Sequence, residues 1–159
     1  MAAEIPPLTG RSQRVLNRAR EEQARLGHPA LTPQHVLYGI LADPMCVALL
    51  VLRDIQVNTD PLTARVCQEL ERGAPETSLD EEAFLREAQR WASEPQPVDV
   101  GTEHLLLALL SGSSAAGKWL RDAGAGLEEA KAATARLTDI APRLSGPGVR
   151  ISGEESPET

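Results

Sequence analysis

The side chains with chemistry to offer are few, and their spacing decides what they can do. Three histidines occur, His28, His35 and His104. His35 follows Thr32-Pro33-Gln34 and His104 follows Gly101-Thr102-Glu103, so both fall in the first turn of a helix. Neither lies in a His-Glu-x-x-His run or a Cys/His cluster, and zinc sites need several such ligands at set spacings. A duplicated histidine at a helix start reads as a structural hydrogen-bonding group, and no metal is expected. Cys46 and Cys67 stand apart from any Cys-x-x-Cys pattern and read as two reduced thiols. Gly112-Ser113-Ser114-Ala115-Ala116-Gly117-Lys118 follows the phosphate-binding loop until Trp119, where that motif requires Ser or Thr for magnesium. The motif also needs a preceding strand; a helix precedes it here, so it reads as a Gly/Ser loop between helices. The carboxylate groups Glu21-Glu22, Asp80-Glu81-Glu82 and Glu128-Glu129 suit solvated faces and first turns, where the helix dipole favours negative charge. No Gly-x-Ser-x-Gly elbow is present. The expectation is a protein that is not an enzyme, with no catalytic residues and no cofactor.

Composition narrows the partners. A formal net charge of −7 opposes nucleic acid, whose binding needs clustered Lys and Arg, and opposes anionic membrane surfaces. Aromatic residues make up only 3% of the chain, so the core must come from Leu, Val, Ile and Ala, as in closely packed helices. The N-terminus carries Glu4 and two prolines without an apolar signal region, and the longest apolar stretch, near Val47–Leu52, is too short to span a bilayer. A cytoplasmic location is expected.

The elements that must position these side chains come from an internal repeat. Sliding the chain by about 69 residues lays Gln34-His35-Val36-Leu37 on Glu103-His104-Leu105-Leu106 and Val15-Leu16 on Phe84-Leu85. Ile40-Leu41 falls on Leu109-Leu110, and after one deletion Leu52-Arg53-Asp54 falls on Leu120-Arg121-Asp122. The spacing predicts four helices per copy. Thr9 caps the first, with Val15, Leu16, Ala19 and Leu26 on one face, ending at Gly27. Thr32-Pro33 opens the second, with Val36, Leu37, Ile40 and Leu41 inward. The third, about Met45 to Ile55, is apolar nearly all round and is expected to be central; Asp60-Pro61 caps the fourth. In the second copy Ser78 is the expected cap of the fifth helix, from the capping-box pattern Ser78-Leu79-Asp80-Glu81. Gly101-Thr102-Glu103 opens the sixth; the seventh carries Trp119 and Leu120; the eighth covers about Leu127 to Ile140. The fold class is therefore all-α: two pseudo-symmetric four-helix repeats in one compact eight-helix domain with a flexible C-terminal tail. The expected divisions are an arm at 1–7, repeats at 8–72 and 78–141 with a linker at 73–77, and a disordered tail at 142–159, whose polar end favours a natural terminus.

Two stretches carry a likeness to a known family. One runs from Leu8-Thr9 to Leu41 with Arg14-Val15-Leu16, Ala19-Arg20-Glu21-Glu22, Leu26-Gly27-His28 and His35-Val36-Leu37. The other is Val100-Gly101-Thr102-Glu103-His104-Leu105-Leu106-Leu107-Ala108-Leu109-Leu110. Together they resemble the double Clp repeat at the N-terminus of Clp-type AAA+ unfoldases, here without the ATPase modules that follow it in the family. The resemblance implies a non-catalytic protein-binding module that docks adaptors and substrates. In the type found in Gram-positive bacteria it also implies receipt of phosphoarginine-tagged proteins, one site per repeat. The family uses the threonine that caps each repeat's first helix together with the glutamate of the Gly-Thr-Glu-His run. Carried over, this gives Ser78 and Glu103 with Thr102 adjacent in the second repeat, and Thr9 in the first, where Gln34 replaces the glutamate. A hydroxyl-capped helix start suits a phosphate, and a carboxylate suits a guanidinium. Loss of the charge at Gln34 weakens such a contact by about 1 kcal/mol or more. The pocket is thus expected in the second repeat and weakened in the first.

Two functions follow from the resemblance. One is an adaptor or regulator of a Clp protease system, with unfoldase or protease components, adaptors, substrates or phosphoarginine-tagged proteins as partners. The other is a decoy that sequesters a ligand, such as a peptide-like natural product, aimed at the unfoldase domain.

Overall fold

A computed structural model of the chain describes residues 7–73, 78–93 and 98–138. Within them lie eight helices: α1 (Gly10–Arg25), α2 (Pro33–Leu41), α3 (Val47–Asp54), α4 (Thr59–Arg72), α5 (Glu81–Ala92), α6 (Thr102–Ser111), α7 (Ala115–Asp122) and α8 (Leu127–Thr138). Among the described residues there is no strand, only a single parallel bridge between Leu8 and Val100. The fold is all-α, as the periodicity implies. The expected tail and most of the arm and linker lie outside the described residues.

Local chemistry sets most of the boundaries. Thr9 caps α1 by accepting from the Ser12 N–H at 3.1 Å. α1 ends in a Schellman turn: Gly27 at φ 71° lets its N–H reach Ala24 O and the His28 N–H reach Gln23 O. α3 and α7 end in the same turn, with left-handed Gln56 (φ 65°) and Gly124 (φ 103°) at equivalent places. Three starts differ from the sequence expectation. Asp80, not Ser78, caps α5, accepting from the Ala83 N–H at 3.1 Å, so the helix starts two residues further on. Asn58 caps α4 ahead of Asp60, and α3 begins at Val47 rather than Met45.

The two repeats share one core. α6 contributes Leu105, Leu106, Leu107, Ala108, Leu109 and Leu110, all buried, and it packs on α2, α3, α5, α7 and α8. The helix buried all round is therefore α6. α3, expected to be central, lies against α6 and α8 but leaves Leu50 36% exposed. In exchange, α7 of the second repeat packs on α2 of the first. Each fully buried Leu contributes roughly 2 kcal/mol, so this crossed packing of α3 and α7 welds the repeats together. α1 and α2 approach so closely that a Cβ on Gly39 would stand 2.4 Å from Val15 O.

Candidate functional site

The duplicated histidines hold the starts of the two central helices. His35 Nδ1 accepts the Thr32 N–H at 3.0 Å, and His104 Nδ1 accepts the Gly101 N–H at 2.8 Å. The Thr32 hydroxyl also meets His35 Nδ1 at 2.8 Å, which leaves the proton on Nε2, facing His28 Nδ1 at 2.9 Å. Burial pushes His35 down to about 4, with the neighbouring His28 adding to the effect, and burial likewise lowers His104 against the opposing pull of Glu103. Both imidazoles are neutral fixtures of the fold.

The helix starts are then paired across the repeats. Pro7 O accepts the Val100 N–H at 2.9 Å, Val100 O accepts the Thr9 N–H at 3.0 Å, and the Ser12 hydroxyl donates to Val100 O at 2.9 Å. These bonds set the start of α1 against the entry to α6. In the other half, Leu31 O accepts the Leu79 N–H at 2.8 Å and sets the lead-in of α5 against the entry to α2. Neighbouring helix starts therefore come from different repeats. Ser78 lies in one cleft with Gln34, while Thr102 and Glu103 open α6 on the Thr9 side. The sequence grouping of Ser78 with Glu103, and of Thr9 with Gln34, is replaced by this crossed one.

The two equivalent regions are not alike. On the Thr9 side the polar groups find internal partners. The Arg11 guanidinium meets Asp43 at 3.2 Å, and the Asp43 carboxylate also accepts the Met45 N–H at 3.1 Å. Thr102, 2% exposed, accepts the Ala48 N–H at 3.0 Å through its hydroxyl, capping α3 from the opposite repeat. That helix has no side-chain cap of its own, because Cys46 stands at its N-cap. Glu103 folds over Gly101 with its carboxylate 3.9 Å from His104 Nε2. Its side chain is 16% exposed.

On the Ser78 side a cleft of about 780 Å³ remains between the starts of α2, α5 and α7. Gly112 lines it where the first repeat has Asp43, and Asp80 lines it where the first repeat has Arg11, so no ion pair closes it. Leu79, Phe84 and Leu109 supply apolar wall; Ser78, Gln34 and Asp80 supply polar edge. Gln34 is 9% exposed, and its carboxamide, which makes no hydrogen bond among the described residues, is not sealed from water. Sequence reasoning named Ser78 and Gln34 but missed Asp80 and the Arg11–Asp43 pair. The signal lay in the repeat alignment, where a cation faces an anion in one copy and an anion faces glycine in the other.

The glycine-serine run forms no phosphate loop. Residues from Ala115 onward are helical, Ser114 caps them by accepting the Gly117 N–H at 3.2 Å, and Lys118 is paired with Asp122 at 3.0 Å. Among the described residues no group of three or more metal-binding side chains gathers, and no helix is long and apolar enough to cross a membrane.

Comparison with known proteins agrees with this architecture. The family described as the Clp repeat (R) N-terminal domain matches twice, over residues 7–83 and 80–154. The ATP-dependent Clp protease ATP-binding subunit ClpC of Staphylococcus aureus (strain USA300) is 31% identical over 112 residues. A probable ATP-dependent Clp protease ATP-binding subunit of Chlamydia pneumoniae is 35% identical over 113 residues. These matches cover 65% and 64% of this chain but only 13% of each relative's length. The Hsp104 N-terminal domain from Candida albicans superposes with a TM-score of 0.68 at 18% identity, over 83% of this chain and 91% of that one, a likeness of fold.

Proposed function

Because the chain belongs to the Clp repeat (R) N-terminal domain family, we propose that it is a non-catalytic docking module of a Clp protease system, acting as an adaptor or regulator that holds substrate or adaptor proteins. The observation that carries this reading is the crossed arrangement of the two repeats. It fuses them into one body, with Thr102 of one repeat capping α3 of the other, and it leaves a surface cleft at the helix starts unfilled. A phosphoarginine contact belongs to the Thr9 side in this reading. Glu103 supplies the carboxylate for a guanidinium, and Thr9 caps the neighbouring helix start. Thr102, held by Ala48, acts there through the fold. Ser78 serves the other cleft, next to Gln34.

Affinity capture with the chain as bait, from extracts of its own cells, tests the module: recovery of Clp unfoldase or peptidase subunits or their adaptors is expected. Recovery of a small molecule alone would replace the adaptor with the decoy. Calorimetric titration with arginine phosphate tests the finer contact. Binding by the unaltered chain that is lost in Glu103→Ala is expected; equal heats from both would remove Glu103 from the site.

A further inference from the structure

His28 and His35 form a pair beside the start of α2. Their ring centroids are 5.1 Å apart, and His28 Nδ1 lies 2.9 Å from His35 Nε2. His35 is fully buried, while His28 is half-buried on the turn after α1. His35 Nδ1 accepts the Thr32 N–H at 3.0 Å, so its proton sits on Nε2 and points at the bare Nδ1 of His28. The residues between the two rings are tied down on both sides. His28 O accepts from Gln23 Nε2 at 3.3 Å, Thr32 caps α2, and Leu31 O accepts the Leu79 N–H of the second repeat at 2.8 Å.

Such wiring accommodates one protonation state. A second proton on His28 enters at Nδ1, where it faces the proton of His35. Passing a proton to His35 instead sets two donors, Nδ1–H and the Thr32 N–H, against each other. Either course breaks a bond at the start of α2. Titratable groups from three helices surround the pair. Glu22 on α1 is held ionised by the Arg25 guanidinium at 2.7 Å, and Arg25 also meets Glu71 on α4 at 3.5 Å. Burial raises both the Tyr38 phenol on α2 and the Cys67 thiol on α4, which keeps them neutral. The proton therefore falls to the imidazoles, and burial opposes charge on His35. His28, nearer to water, is the member that takes it. In the second repeat His104 Nε2 faces the Glu103 carboxylate at 3.9 Å in place of an imidazole.

We propose that the His28–His35 pair is a proton-sensitive latch on the entry to α2. On acidification His28 takes a second proton and turns out into water. Residues 28–32 then loosen, together with the Leu31–Leu79 hydrogen bond that ties them to the second repeat. The entry to α6, which lacks a second imidazole, has no such release. The latch is a property of the fold and does not depend on the docking role.

The test is NMR of the full isotope-labelled chain, titrated from about pH 7.5 to about pH 5, the range in which histidine switches charge, while circular dichroism still reports full helical content. Imidazole nitrogen shifts are expected to show His28 gaining charge while His35 stays neutral. The cross-peak between the two rings should be lost over the same step. The Thr32 and Leu79 amide protons should move upfield with the His28 titration, the direction of weakened hydrogen bonds, while the Val100 and Gly101 amides do not follow it. His28→Asn places a non-titrating acceptor where Nδ1 stood and should abolish the Thr32 and Leu79 steps; circular dichroism confirms that it is folded. Thr32 and Leu79 signals that ignore the His28 titration, or that move alike in His28→Asn, overturn the latch. So does a ring cross-peak kept after His28 is charged, or a His28 still neutral at about pH 5. The last two are read on the unaltered chain and need no variant.

Discussion

Replacing Thr102 with valine removes one hydroxyl and almost no volume, so its effect isolates the cap that one repeat lends the other. The hydroxyl lies 3.0 Å from the Ala48 N–H, and Thr102 is 2% exposed. Water therefore cannot replace it. Leaving a buried backbone N–H unpaired costs about 1–3 kcal/mol, and loss of an N-cap costs about 0.5–2 kcal/mol. These describe the same lost bond from two sides, so the expectation is about 2 kcal/mol. For a chain of this size that corresponds to a fall in Tm of about 5–8 °C. Urea denaturation followed by far-ultraviolet circular dichroism measures it. Thr102→Ser should recover most of the loss, since serine keeps the oxygen. A loss below about 0.5 kcal/mol in the valine variant, or a serine variant as unstable as valine, would refute the cross-repeat cap.

Other perturbations probe different parts of the account. His35 is neutral in the fold at about 4 and ordinary at 6.5 when unfolded, so the unfolded chain takes up a proton first as pH falls. At about 1.4 kcal/mol per pH unit, stability should drop by about 3 kcal/mol between pH 6.5 and 4, with His104 adding in the same direction; urea midpoints unchanged from pH 7 to 5 would contradict this. Gln56→Gly should raise stability by about 0.5–1 kcal/mol, because Gln56 holds the left-handed conformation that Gly124 occupies in the other repeat. A neutral or destabilising result in thermal melts would deny that strain. Gly39→Ala should cost about 1–3 kcal/mol, since the new methyl meets Val15 O and the α1–α2 contact must open. Thiol labelling should reach Cys67 before Cys46, because Cys46 is fully buried and burial raises its thiol pKa.

Much of the fold was legible because it rests on local rules. Period and punctuation locate all eight helices: Thr9, Thr32-Pro33 and Gly27 mark their ends in the chain as they do in space. The duplicated histidine also declares its role, since a side chain three residues after the helix start can reach back to it. Two things escaped. The cap of α5 fell on Asp80 because two candidates two residues apart compete and the geometry of the entering chain chooses between them. The grouping of Thr9, Gln34, Ser78 and Glu103 escaped because a repeat gives each copy's contents but not which copy's ends become neighbours. That choice is made by the Leu8–Val100 bridge and the Leu79–Leu31 hydrogen bond, links between residues far apart in the chain. The asymmetry of the two clefts was half visible: Gln34 against Glu103 was read, while Arg11–Asp43 against Asp80–Gly112 acquires meaning only once those residues face each other.

The central claim is that recognition takes place at the crossed helix starts. It is tested most directly by two-dimensional amide NMR of the labelled chain, titrated with whichever Clp component it captures. The shifts should gather at Ser78–Phe84, at Gln34 and at Gly112–Ala115, with a second group beside Thr9 and Glu103. Shifts confined to the α4 and α8 surfaces, or none at saturating partner, would contradict the account.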